Sequence, residues 1–157
     1  MSFYKNKKIL VAGGTGLIGQ PLVERLIDEG ANVRIASLDH ISLANPKAEF
    51  HRLDLTKYEN CFSVCDGMDY VFNLLCVKGS PLSNRERPAS FLDKMLLFNT
   101  NLLRAAKEAK VQRFIFTSTY GVYYPAEIFD DKIDVLRTLL PENDFFSGLA
   151  KRVGEAQ

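Results

Sequence analysis

Residues that bind metals or form disulfides are scarce in this chain. Three cysteines, Cys61, Cys65 and Cys76, and two histidines, His40 and His51, occur in 157 residues. The cysteine count is odd, and there is no CxxC pair or histidine beside a cysteine. A disulfide framework and a zinc site are therefore not expected. Cys61 and Cys65, four apart on a predicted helix, read as small partly buried side chains, and a reducing cytoplasm is the simplest setting. His40 falls in a loop and His51 in a strand, without a matching carboxylate cluster, so both take ordinary surface or edge roles. The acidic loop of Asp130, Asp131 and Asp134 lacks the spacing of a calcium loop, and no metal is expected there either.

Charge of one sign is also missing. Twenty basic residues oppose nineteen acidic ones, a net charge of +1, which leaves no electrostatic footprint for nucleic acid or anionic lipid. No apolar run approaches the ~20 residues that cross a membrane. The apolar stretch 9–12 behind the first lysines is too short for the core of a signal peptide. The serines lack the GxSxG context of a hydrolase. Internal repeats, low-complexity segments and dividing linkers are absent too, so the length suits one domain.

What is present is alternation. KKILVA (7–12), NVRIAS (32–37), EFHRL (49–53), MDYVFNLLC (68–76) and RFIFTS (113–118) read as strands, the fourth buried on both faces. Between them, 17–30, 57–65 and 91–109 read as helices. A last helix begins near Asn143 or Asp144, either of which could cap it. Pro21 is tolerated in a first helical turn. Strand–helix alternation with short connections predicts right-handed crossovers and a doubly wound parallel sheet, a Rossmann fold in three α/β/α layers. Ligands of such sheets bind at the carboxyl ends of the strands, where the strand order reverses.

VAGGTGLIG (11–19) puts Gly13, Gly16 and Gly19 between the first strand and the first helix. One glycine permits the tight turn, another lets a pyrophosphate approach the backbone, and a third lets the helix pack on the strand. The helix then offers its free amides and positive dipole end to the anion. With a strand before it and a helix after it, this turn predicts dinucleotide binding.

Several stretches together resemble the extended short-chain dehydrogenase/reductase family, the NAD-dependent epimerases, dehydratases and reductases of nucleotide sugars. GGTGLIG matches that family's glycine motif. LDLT (53–56), FNLLC (72–76), NLLRAAKEAKVQRFIFTSTYGVYYP (101–125) and SGLAKRVGE (147–155) match its later motifs in order. PASFLDKMLLFNTNLLRAA (88–106) is similar to the GDP-fucose synthase branch. The resemblance spans the whole chain and implies an NAD or NADP cofactor, a nucleotide-sugar substrate and transient hydride transfer. It implies that Gly13, Thr15, Gly16, Leu17, Ile18 and Gly19, with Ser37, Asp54, Leu55, Leu74, Leu75, Cys76, Thr117 and Lys151, surround the cofactor. Asp54 takes the place of the residue that reaches the adenine amino group.

By the same resemblance, Thr119, beside Ser118, holds a sugar oxygen, and Lys151 holds the ribose and lowers the pKa of a tyrosine four residues earlier. That position is Ser147 here. A serine hydroxyl is less acidic than a phenol and shorter by a ring, so either turnover is lost and the chain is a dinucleotide-binding module, or a phenol is displaced onto Tyr120, Tyr123 or Tyr124. Lys78 and Ser80 are substrate-side candidates. After the second strand the family's acidic residue is replaced by Ser37, with Asp39 two further on, which leaves NAD and NADP both open. Set against the family, the chain corresponds to the cofactor-binding half, with the substrate domain largely absent. The exposed end of an unfinished sheet then offers a surface on which a homo-oligomer could form.

Overall fold

The structure, a computed structural model, describes residues 2–77, 79, 82, 86–123, 132, 136, 140 and 145–157. Five strands alternate with helices in chain order: β1 (Lys8–Ala12), α1 (Gly19–Asp28), β2 (Asn32–Ser37), β3 (Glu49–Arg52), α2 (Tyr58–Cys65), β4 (Tyr70–Asn73), α3 (Pro88–Glu108), β5 (Arg113–Phe116) and α4 (Phe145–Ala156). The strands form one parallel sheet in the order β3-β2-β1-β4-β5. The chain winds outward from β1 through β2 to β3, then crosses back to place β4 on the other side of β1. The reversal falls between β1 and β4, paired in register from Ile9–Tyr70 to Ala12–Asn73.

Alternation along β1 decides the layers, because successive side chains leave a strand on opposite faces. Ile9 and Val11 pack with Val23 and Leu26 of α1, Val33, Ile35 and Tyr70. Leu10 and Ala12 face the other way, onto Cys61, Val64 and Cys65 of α2 and Met95, Phe98 and Leu102 of α3. All four β1 residues from Ile9 to Ala12 are fully buried, which explains why this strand reads as an unbroken apolar run. Burial pushes the Cys61 and Cys65 thiols up to about 12; both are unreactive core residues.

α1 ends where Gly30 adopts φ +84° and its amide bonds the Ile27 carbonyl, while the Ala31 amide bonds that of Leu26. This is a Schellman stop, for which glycine has the lowest steric cost. Pro21 lies in the first turn of α1, where it removes no helical hydrogen bond.

The predicted strands and the observed ones differ most in β4. The sequence predicts 68–76, but the strand ends at Asn73. There the Leu75 amide donates to Asn73 Oδ1 (3.1 Å), a side-chain turn that takes Leu75 and Cys76 out of the ladder, while the Leu74 amide still donates to the Ala12 carbonyl (3.0 Å). β5 likewise ends at Phe116, two residues early, and α1 begins at Gly19, two residues late. The expected caps Asn143 and Asp144 lie outside the described residues. No helix among the described residues is long and apolar enough to cross a membrane.

Candidate functional site

The turn after β1 is built from glycines with three different duties. Gly13 has φ +83°, a left-handed conformation that L side chains rarely adopt, and its amide bonds the Ala36 carbonyl (2.8 Å). A Cβ on Gly19 would overlap the Gly13 carbonyl oxygen and come within 2.7 Å of Gly14 Cα. Only glycine lets α1 approach the turn so closely. Gly16 is different. A Cβ there would meet only the Gly13 carbonyl oxygen, at 3.3 Å, so packing demands glycine far less. Open space in front of this backbone fits an anion bound against it. The N-cap residue Ile18 supplies no side-chain cap, and α1 has no acidic residue in its first turn. The positive end of the helix is therefore not neutralised from within its own segment.

A cleft of ≈ 540 Å³ opens from this turn across the carboxyl ends of β1, β2 and β4. Its walls include Gly13, Thr15, Gly16, Ser37, Asp54, Leu55, Leu74, Leu75 and Cys76, nine of the residues expected around a cofactor. Leu17, Ile18, Gly19, Thr117, Thr119, Ser147 and Lys151 are not among its lining. Leu17 is 93% exposed and Ile18 64%, so both stand at the outer rim of the turn.

Sequence reading gave less weight to three other cleft residues. Asp39 lines the cleft and accepts a hydrogen bond from Thr15 Oγ1 (2.7 Å). Thr15 also shares a 2.7 Å bond with Ser37 Oγ, which in turn accepts from the Asp39 amide (3.1 Å). A carboxylate is thereby fixed beside the end of β2, two residues after the place where the family pattern sought one. Asp93 and Lys94 of α3 line the opposite wall with Leu97 and Phe98. Their i, i+3, i+4 spacing was legible as one helix face.

Asp54 is held by its own chain. Its Oδ1 accepts from the Thr56 amide (3.0 Å) and the Thr56 hydroxyl (2.8 Å). These bonds, the amide's first, hold the Asp54 carboxyl below the usual carboxylate range, and the Lys57 and Lys94 charges add to the effect.

Behind the Leu75 wall of the cleft, Lys151 is only 4% exposed. Its Nζ donates to the carbonyls of Thr117 (2.7 Å) and Leu75 (3.2 Å), with the Phe116 ring centroid 4.7 Å away. Burial lowers its pKa from the ordinary lysine value, partly offset by Cys76 nearby. Two glycines let α4 bring this lysine in. A Cβ on Gly148 would overlap the Gly121 carbonyl oxygen, and one on Gly154 would come within 2.8 Å of the Phe116 ring. Arg152 Nε completes the dock by donating to the Val122 carbonyl (2.8 Å). Between the two glycines the helix is pinned, and Lys151 points at the strand ends.

Thr119 caps the short turn Tyr120–Val122 by accepting from the Gly121 amide (3.3 Å). Ser147 lies one turn before Lys151 on α4 and is half-buried. Tyr120 is 72% exposed. Lys78, Ser80, Tyr124 and the acidic residues Asp130, Asp131 and Asp134 lie outside the described residues. His40 Nδ1 accepts from the Ser42 amide, and His51 pairs with Glu49 (2.6 Å); neither lines the cleft. Among the described residues no cluster of three His, Cys, Asp or Glu side chains could hold a metal ion.

Sequence reading missed Asn73 and Asn99. Both are buried, with Asn73 Nδ2 donating to Asn99 Oδ1 (3.0 Å). Asn99 Nδ2 is buried without a partner among the described residues. The signal available was a polar residue inside the otherwise apolar run of β4.

Comparison with known proteins agrees with this geometry. The sequence profile of the NAD dependent epimerase/dehydratase family matches residues 9–155. A mouse protein named sterol-4-alpha-carboxylate 3-dehydrogenase, decarboxylating, is 30% identical over 76% of this chain and 32% of its own length. UDP-glucose 4-epimerase of Rickettsia canadensis is 28% identical over 80% of this chain and 40% of its own. Among solved structures, UDP-glucose 4-epimerase of Thermotoga maritima with UDP-glucose superposes at a TM-score of 0.79 with 25% identity, over 95% of this chain and 49% of that one. The chain thus spans less than half the length of each of these relatives.

Proposed function

Because the chain belongs to the NAD-dependent epimerase/dehydratase family, we propose that its cleft holds an extended nicotinamide dinucleotide and serves redox chemistry on a nucleotide sugar. The observation that carries this reading is the pairing of the Gly16 anion cradle in the cleft with a buried Lys151 held by the carbonyl of Leu75, a residue of the cleft wall. The diphosphate would lie on the turn, against the opening amides of α1. Asp54, Leu55, Leu97 and Phe98 surround the place for the adenine, and Lys151 serves the nicotinamide ribose. Bound there, the cofactor supplies a hydride acceptor and donor. The chain's own part is to orient it, exclude water with Leu74, Leu75 and Phe98, and hold a substrate oxygen near Thr119.

Asp39 favours NAD over NADP in this reading. A carboxylate held in place by Thr15 accepts from a ribose hydroxyl but repels a 2′-phosphate. Replacing it by serine should narrow the preference for NAD by roughly tenfold, the scale of one hydrogen bond to a charged group. Affinities for both cofactors measure this.

Ser147 supports a second reading. It occupies the place of the family's phenolic acid, and an aliphatic hydroxyl is too weakly acidic for proton transfer near neutral pH. Without another proton donor the domain would bind the dinucleotide and turn nothing over. Incubation with NAD or NADP and a panel of UDP-, GDP- and dTDP-sugars separates the two readings, with 3-hydroxysteroids added because of the mouse relative's name. Turnover that disappears in Lys151→Ala supports the enzyme. No turnover from folded, cofactor-bound protein supports the binding module.

A further inference from the structure

Among the described residues no carboxylate holds Lys151. Two backbone carbonyls do that work, from residues that have left two different strands: Leu75 after β4 and Thr117 after β5. Loop-end carbonyls are free to turn unless something fixes them. Both are fixed by the same residue.

Asn73, the last residue of β4, is 0% exposed and uses every polar group it has inward. Its side-chain Oδ1 accepts from the Leu75 amide (3.1 Å), setting the Leu74–Leu75 turn. Its backbone carbonyl accepts from both the Thr117 amide (3.2 Å) and the Thr117 hydroxyl (3.0 Å), setting the exit from β5. Its Nδ2 donates to Asn99 Oδ1 on α3 (3.0 Å), which anchors the side-chain amide from behind. We infer that Asn73 is the positioning residue for Lys151: anchored by Asn99, it aims the Leu75 and Thr117 carbonyls that bracket the ammonium. With two of its three N–H donors taken by those carbonyls, the ammonium has one left for a ligand.

An apolar strand would ordinarily carry an apolar residue at this buried place. An asparagine there makes sense because its side chain ties the Leu74–Leu75 turn to α3 through Asn99, which no apolar side chain could do. Asn73 does not itself line the cleft, so it acts through the groups it holds: Leu75, Thr117 and, by their carbonyls, Lys151.

The inference rests on the dinucleotide reading, and the test separates the two. Calorimetry on the whole chain compares NAD with ADP, which lacks the nicotinamide riboside that Lys151 would hold. Asn73→Ala should weaken NAD by roughly tenfold, the scale of a lost bond to a charged group, and leave ADP within about twofold. Lys151→Ala should show the same selective loss, and the double variant no further loss, as coupled residues require. Asn73→Ser, whose hydroxyl can still accept from the amide two residues on, should regain most of the NAD affinity. Should Asn73→Ala not fold, Asn99→Leu removes the anchor instead and should give an NAD-selective loss that vanishes in the Lys151→Ala background.

Equal losses for NAD and ADP, or losses that add to those of Lys151→Ala, overturn the positioning role. No recovery in Asn73→Ser does the same. A wild type that binds ADP and NAD equally refutes the place given to Lys151 and, with it, this inference. A wild type that binds neither overturns the dinucleotide reading as well.

Discussion

At the scale of single residues, glycines that look alike in the sequence do different work. Gly13 and Gly19 are needed by the fold, Gly13 for its positive φ and Gly19 for the close approach of α1. Gly16 meets far less around it, and in the proposed reading it is needed for the space in front of it. Their alanine variants should therefore part company. Gly19→Ala forces overlap with the turn, and overpacking of this kind costs about 1–3 kcal/mol. In a domain of this size that lowers Tm by roughly 2–4 °C per kcal/mol. Gly16→Ala should melt close to wild type and lose affinity for the dinucleotide. Thermal melts of the two variants without ligand check the first half of the contrast. Comparable melting points would mean that the packing argument is wrong.

Lys151 shows what sequence reading supplies and what it omits. The motif drew attention to its position, and the resemblance implied a role at the ribose. That two strand-end carbonyls would hold it depended on Asn73 and Asn99, which lie 78 and 52 positions earlier in the chain, inside FNLLC and the stretch 88–106, where nothing marked either as a positioning residue. A single chain without relatives aligned to it offers no sign that these two polar residues meet.

On the scale of elements, α4 is the helix with most at stake. Glycine inside a helix normally costs about 1 kcal/mol against alanine. Gly148 and Gly154 therefore invite stabilising substitutions on propensity alone. Their surroundings reverse the sign, because a Cβ at Gly154 meets the Phe116 ring and one at Gly148 meets the turn at Gly121. Gly154→Ala should lower Tm instead of raising it, and should weaken NAD more than ADP by shifting Lys151. A stabilised variant with unchanged affinity would contradict the docking described for α4.

The entrance to α2 answers to acid. The Asp54 carboxyl sits below its ordinary pKa because the Thr56 amide, then the Thr56 hydroxyl, bond its charged form. A group depressed on folding adds stability above its unfolded pKa, near 3.9 for aspartate, and loses it as pH falls through the folded value. Denaturation curves from about pH 6 down to about pH 3 should show wild type ahead of Asp54→Ala at the upper end and the gap closing at the lower end. A gap that does not change with pH would assign the Asp54 effect to packing instead of charge.

Element boundaries were the least legible part of the sequence. The alternation of strands and helices, and their order, follow from runs of apolar residues that the sheet buries on both faces. Where β4 stops does not, because the stop is made by the Asn73 side chain, whose Oδ1 takes the Leu75 amide. Hydropathy runs on through Leu74, Leu75 and Cys76, but these residues face the cleft.

At the scale of the whole molecule, the site follows from topology. The sheet reverses direction of growth between β1 and β4, so the loops after these strands diverge and leave a crevice at their carboxyl ends. The glycine turn, Asp39 and the Leu74–Cys76 wall reach that crevice because each follows a strand. A ligand that spans it contacts segments from β1, β2, β4 and α3 together and should stabilise the domain as a unit. At about a hundred times Kd, binding adds roughly 2.7 kcal/mol, and at the same ligand concentration NAD, which the account has binding more tightly, should raise Tm more than ADP. Thermal shift with each ligand checks this.

The central claim is that the opening of α1 cradles a diphosphate and that Gly16 keeps the cradle open. Titration calorimetry of NAD into the wild type and into Gly16→Ala tests it most directly. The account predicts a saturable one-to-one isotherm for the wild type and a loss of at least about tenfold in affinity for a Gly16→Ala protein that melts normally. A folded wild type that binds no NAD or NADP, or a Gly16→Ala variant that binds as tightly as wild type, would contradict it.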